Sequence, residues 1–154
     1  TYPMQEKHLI ADIPQKAIIN KNGKVLLVRN SESHWQLPGG RLNEGENPRE
    51  GIIREIREEL GVDAELVAIY DVFVFQSKSG QWHYVVVWEC KLLDETAPMK
   101  DLAGEATQMV WVSTKEEADR LEHDGSVMWQ EYKHVLEKYF GEKYNGSTHG
   151  NTDH

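Results

Sequence analysis

The stretch Gly40-Arg41-Leu42-Asn43-Glu44-Gly45-Glu46-Asn47-Pro48-Arg49-Glu50-Gly51-Ile52-Ile53-Arg54-Glu55-Ile56-Arg57-Glu58-Glu59-Leu60-Gly61-Val62 decides how this chain is read. Leu37-Pro38-Gly39 breaks regular structure just before it, and a glycine-rich loop runs to about Glu46. Asn47 is a helix-capping residue type, Pro48 suits the first helical position, and Glu50 brings an acid to the first turn. Gly61 supplies the C-terminal stop, so a helix is expected over 48–60. Ile52, Ile53, Ile56 and Leu60 recur at helical spacing, which turns one side of that helix to a core. Glu55, Glu58 and Glu59 fall on a neighbouring arc of about 100°, with Gly51 inside it. A mid-helix glycine costs about 1 kcal/mol relative to alanine. Its position therefore implies a close neighbour, the incoming loop being the expected one.

Carboxylates three and four apart on a helix are commonly a solvated face laced with salt bridges, and Arg49, Arg54 and Arg57 are at hand for that. The chemical alternative is a hard divalent cation, Mg2+ above all, which takes carboxylate oxygens and prefers substrate phosphates as further ligands. Context separates the two. Five residues lie between Gly40 and Glu46, seven between Glu46 and Arg54-Glu55-Ile56, and Glu58-Glu59 and Gly61-Val62 each follow after one more. This arrangement resembles the Nudix box with every specified position filled, a match expected by chance about once in ten million such chains. Trp35-Gln36-Leu37-Pro38-Gly39 is similar to the family's lead-in, and the strand–loop–helix context is the one the box requires.

The resemblance implies an α/β fold, a Nudix-type α/β/α sandwich with a central mixed sheet. It implies cleavage of a pyrophosphate linkage by water, with Mg2+ or sometimes Mn2+. Carried over position by position, Glu55, Glu58, Glu59 and the Gly39 carbonyl match the metal ligands. Glu46 and Arg54 match a pair tying loop to helix, and Gly40 and Gly61 are structural within the motif. The base that activates water is either Glu58 or Glu105, six residues before Trp111. Arg29, ending an expected strand beside the loop, and Arg41 are the candidates for substrate phosphates. Trp35, Phe75, Trp82 and Tyr84 are candidates to stack on a base, although strand aromatics are more often core. His34 and His83 have no partner acid at a telling spacing and read as bystanders.

The rest of the chain frames that site. Two apolar runs, 17–20 and 24–29, flank Asn22-Gly23, a type I′ hairpin signal. Runs at 66–76 and 82–92 predict a long hairpin, its 84–88 portion covered on both faces. A short strand at 109–112 precedes a helix capped by Ser113 or Thr114. A last amphipathic helix over 127–140 shows Met128, Tyr132, Val135, Leu136 and Tyr139 on one side, with Gly141 expected to end it. One domain over 4–141 and a disordered polar tail over 142–154 are expected.

Across 154 residues, 26 acidic and 17 basic side chains leave a formal charge of −9, of which −6 falls between Asp94 and Asp124. That balance argues against a polynucleotide scaffold without excluding a small anionic substrate. The single Cys90 excludes an intramolecular disulfide framework and fits a reducing compartment, so a cytoplasmic location is expected. No apolar run nears the roughly 20 residues that cross a bilayer, and the N-terminus lacks a signal-peptide profile. A homodimer is left open by the resemblance. In the family, a proline about sixteen residues beyond the box hints at ADP-ribose and a tyrosine near there at dinucleoside polyphosphates. Here Ser77-Lys78-Ser79-Gly80 stands instead, with the nearest tyrosine at Tyr84. A nucleoside triphosphate or modified nucleotide is the default substrate, with a nucleotide sugar, a dinucleoside polyphosphate or a non-hydrolysing nucleotide sensor as alternatives. The sensor is disfavoured because every box carboxylate is present.

Overall fold

A computed structural model describes residues 7–29, 34–100, 108–121 and 127–152. Its strands are β1 (Ala11–Asp12), β2 (Pro14–Lys21), β3 (Lys24–Arg29), β4 (Gly39–Arg41), β5 (Ala64–Gln76), β6 (Trp82–Leu92) and β7 (Gln108–Val112). Its helices are α1 (Pro48–Leu60), α2 (Lys115–Asp119) and α3 (Val127–Thr152). Asn22 and Gly23 both take positive φ, 53° and 80°, as the I′ turn between β2 and β3 demands. The sheet is mixed: β6 runs parallel to β1 and β2, while β5 pairs with β6, β3 with β2 and β7 with β3, each antiparallel.

Period-two alternation distributes the strand side chains between two cores. Ala17, Ile19, Leu26, Val28, Trp88 and Cys90 join Ile52, Ile56 and Leu60 of α1. Ile18, Val25, Leu27, Val85 and Val87 face the other way and join Ala118 of α2 with Tyr132, Val135, Leu136 and Tyr139 of α3. The result is the expected α/β/α sandwich around a mixed sheet. The side chain of Met128 lies outside the described residues.

The sheet is split where the site forms. β2 pairs with β3 at Asn20 and Lys21, but its first residues, Pro14 to Lys16, pair instead with β4. The segment carrying Gln36 to Arg41 wedges into that gap. Val28 exchanges two backbone hydrogen bonds with Gln36, of 2.8 and 2.9 Å, and Ala17 N donates to Pro38 O at 2.9 Å.

Three expectations need correction. Gly39–Arg41 is a short strand rather than loop, because its backbone completes the ladder that β3 abandons. Residues 11–16, read as outside the first strand, form β1 and the start of β2, with Pro14 at the strand terminus where a missing N–H is tolerated. Gly141 does not end the last helix, and residues 142–152 of the expected tail are helical. Gly141 has no positive φ, so it forms no left-handed cap, and a glycine alone only weakens a helix.

Candidate active site

Helix α1 is capped as its sequence demands. Asn47 Oδ1 accepts from Arg49 N at 3.0 Å, and Gly61 adopts φ 66° with its N–H returning to Arg57 O at 2.9 Å. These two ends fix the rotation of the helix, and with it where the acids fall. Arg54 is the hub. Its Nε and Nη2 donate to Glu46 Oε2 and Oε1 at 2.5 and 2.9 Å, a bidentate clamp across the loop. Its Nη1 reaches Glu55 Oε1 and Glu58 Oε2, each at 3.0 Å. Glu46 also accepts from Asn43 N at 3.0 Å, so the loop closes on itself as well as on the helix.

The glycines are pressed against this machinery. A Cβ on Gly40 would overlap the Glu55 carboxylate, and one on Gly39, at φ 144°, would overlap the backbone carbonyl of Gln15. Gly39 N donates to Glu59 Oε2 at 3.3 Å. A Cβ on Gly51 would lie 2.9 Å from both Glu46 Oε1 and Leu42 Cδ1 and 3.0 Å from Gln15 Nε2. The neighbour expected at Gly51 is therefore the loop, joined by β2.

Electrostatics follow from these contacts. The Arg54 guanidinium and the Asn43 N–H hold the Glu46 carboxyl down to about 2. Burial pushes the Glu55 pKa up, and Arg54 only partly opposes this. Burial pulls the Lys16 ammonium down, against Glu59 and then Glu55, which raise it.

The donor set suits a hard divalent cation: carboxylates and a backbone carbonyl, with one carboxylate, Glu55, partly removed from solvent. The side chains are nonetheless turned inward, Glu55 and Glu58 to Arg54 and Glu59 to Gly39 N. As arranged, no three Asp, Glu, His or Cys side chains among the described residues enclose a metal ion. Glu58 is exposed on the outer side of the cluster. Glu105 lies outside the described residues.

The two candidate substrate arginines sit apart in different networks. Arg29 Nε and Nη2 donate to Gln108 Oε1 at 3.0 and 2.8 Å, and its guanidinium lies 4.8 Å from the Trp35 ring centroid. Arg41 Nε lies 3.1 Å from Asp12 Oδ2. Asp12 also binds His83 Nδ1 and accepts from Gln81 Nε2 at 3.2 Å. His83 does have a partner acid, contrary to expectation: parallel pairing of β1 with β6 sets it opposite Asp12, 71 residues away, and Phe75 stacks on its ring at 4.7 Å. Trp82 and Tyr84 are exposed, on the opposite face of β6 from His83.

Sequence reading missed Gln15, Lys16 and Tyr132. Gln15 Nε2 donates to Pro48 O and its Oε1 accepts from Trp88 Nε1, at 2.9 and 2.8 Å, tying β2 and β6 to the start of α1. The signal was a Gln-Lys pair leading directly into an apolar strand. For Tyr132 there was none, since it falls on the apolar face of its helix.

The NUDIX domain family model matches residues 17–132. The chain is 32% identical to a CTP pyrophosphohydrolase of Escherichia coli K12 over 105 residues, 65% of this chain and 74% of that protein. It is 26% identical to Nudix hydrolase 5 of Arabidopsis thaliana over 84% of this chain and 45% of that protein. The chain thus spans about half the length of the plant relatives it matches. A crystal structure of a UDP-X diphosphatase superposes with a TM-score of 0.66 at 26% identity, covering 94% of this chain and 68% of the other. A MutT protein of Methanosarcina mazei shares the fold, with a TM-score of 0.68 at 24% identity over 87% of this chain and 98% of that one. A family match spanning both cores, with the box folded into a loop–helix clamp, places the chain in the NUDIX family.

Proposed function

We propose that this protein hydrolyses a pyrophosphate linkage in a nucleoside-diphosphate-linked small molecule, with a nucleoside triphosphate or modified nucleotide as default substrate. The Arg54 hub carries the proposal: one guanidinium gathers Glu46, Glu55 and Glu58 while Gly39 N–H fixes Glu59, so four box acids share one neighbourhood. The names of the E. coli relative and of the UDP-X diphosphatase support a nucleotide pyrophosphate bond as target. Glu55, Glu58, Glu59 and the Gly39 carbonyl would hold a divalent cation, Mg2+ or Mn2+, which when bound supplies positive charge at the pyrophosphate oxygens. Among the described residues, Glu58, exposed and three residues along the helix from half-buried Glu55, is the acid that would orient water and accept its proton. Arg54 Nη1 donates to Glu58 Oε2 at 3.0 Å and so orients that carboxylate. Arg29, at the end of β3, and Arg41, within the wedge, are the residues proposed to meet the outer phosphates.

The test is product release from CTP, a modified nucleoside triphosphate, a nucleotide sugar and a dinucleoside polyphosphate, with Mg2+ or with a chelator. Mass spectrometry assigns the broken bond. Turnover that requires the cation, and falls about 100-fold or more in Glu58→Gln, is expected. Nucleotide binding without turnover on any substrate would overturn the proposal. Near-normal turnover of Glu58→Gln would move the base to the other sequence candidate, Glu105.

A further inference from the structure

Lys16 is the one buried lysine among the described residues, 6% exposed. A buried amine is costly unless its N–H groups find acceptors, and an ammonium has three to place. Lys16 Nζ donates to Gln36 Oε1 at 3.2 Å, its sole hydrogen bond among the described residues. Tyr132 is 1% exposed, and its hydroxyl has no hydrogen-bond partner there.

These two donors share a location. Along β2 the side chains of Gln15, Ala17 and Ile19 turn to α1, so Lys16 and Ile18 turn to the α3 side. Tyr132 stands on that side, in the cluster containing Ile18 and Leu37, its ring edge-on to Phe73 at 6.0 Å. The backbone of Lys16 pairs with Gly39, whose N–H donates to Glu59. Both groups lie within the field of the Glu59 carboxylate. Two buried donors with unused capacity thus lie on the same side of the sheet, and Lys16 sits where β2 leaves β3 for β4. Arg54 is already committed to three carboxylates of the box.

We propose that Lys16 Nζ and Tyr132 Oη form an anion subsite beside Glu59 that receives a phosphoryl group of the substrate, the amine taking a non-bridging oxygen and the phenol donating a second hydrogen bond. The subsite rests on the pyrophosphohydrolase assignment for its ligand. It explains why β2 buries a lysine just before the apolar run Ala17-Ile18-Ile19, and why a core tyrosine is not a phenylalanine.

The probe is imidodiphosphate, titrated calorimetrically into the full chain with and without Mg2+. Lys16→Met keeps the side-chain length without the charge, Lys16→Arg restores the charge, and Tyr132→Phe removes only an unpartnered hydroxyl. Lys16→Met is expected to weaken binding about tenfold or more, with partial recovery in Lys16→Arg. Tyr132→Phe is expected to weaken it about threefold while Tm stays level or rises. Wild-type binding in both Lys16→Met and Tyr132→Phe, or no binding by the unaltered protein, overturns the subsite. Should Lys16→Met fail to fold, Tyr132→Phe decides alone. Probe binding that depends on these residues, in a protein that cleaves no nucleotide, would sink the hydrolase assignment and keep the subsite. Cleavage with undisturbed probe binding in the variants would do the reverse.

Discussion

At the scale of single residues, Glu46 does structural work that its position in a surface loop conceals. Its carboxyl is held from an ordinary value of 4.5 down to about 2 by Arg54 and the Asn43 N–H. The folded protein therefore releases this proton more readily than the unfolded chain, and the stability it contributes is present above pH 4.5 and lost as pH falls towards 2. Glu46→Gln should lower Tm at pH 7, and the gap to the unaltered protein should narrow between pH 4.5 and 2. Thermal unfolding followed across that range checks it, and a gap constant with pH would contradict the clamp. The clamp itself was legible in sequence, because the spacing from Glu46 to Arg54 is part of the motif. The pairing of Asp12 with His83 was not, because it depends on which strands become neighbours.

At the scale of elements, α1 shows local signals and tertiary contact agreeing. Its cap, its first-position proline and its left-handed Gly61 are where the sequence put them. Gly51 is where the two kinds of information meet. Helix propensity alone credits Gly51→Ala with about 1 kcal/mol. The added methyl would press on Glu46 and Gln15, both held by hydrogen bonds, and on Leu42. The gain should not be realised: chemical denaturation should show Gly51→Ala no more stable than the unaltered protein, with its turnover reduced. A variant stabilised by the full propensity increment would show that the loop yields freely. At the C-terminal end the local signal misled, since Gly141 reads as a stop and the helix passes through it. A glycine terminates a helix only where the chain turns left-handed, and that depends on the contacts available to the residues beyond it.

At the scale of the whole molecule, the two cores on opposite faces of one sheet make Cys90 an internal reporter. It is buried in the cluster beneath α1, and desolvation pushes its thiol up to about 12. A neutral thiol-specific reagent should therefore react only when that core opens, at a rate rising with denaturant in step with global unfolding. Rapid reaction of the folded protein would place α1 off the sheet. No helix of the described residues is long and apolar enough to cross a membrane. Sequence alone determined the elements whose signals are local: the hairpin at Asn22-Gly23, the caps of α1, and the acids of the box, whose order along the helix sets their face. Only the tertiary structure decided that β2 exchanges β3 for β4, and so opens the sheet beside those acids. Strand pairing joins residues distant in the chain, and no periodicity within one strand names its neighbour. That exchange is what pairs Lys16 with Gly39, whose N–H donates to Glu59.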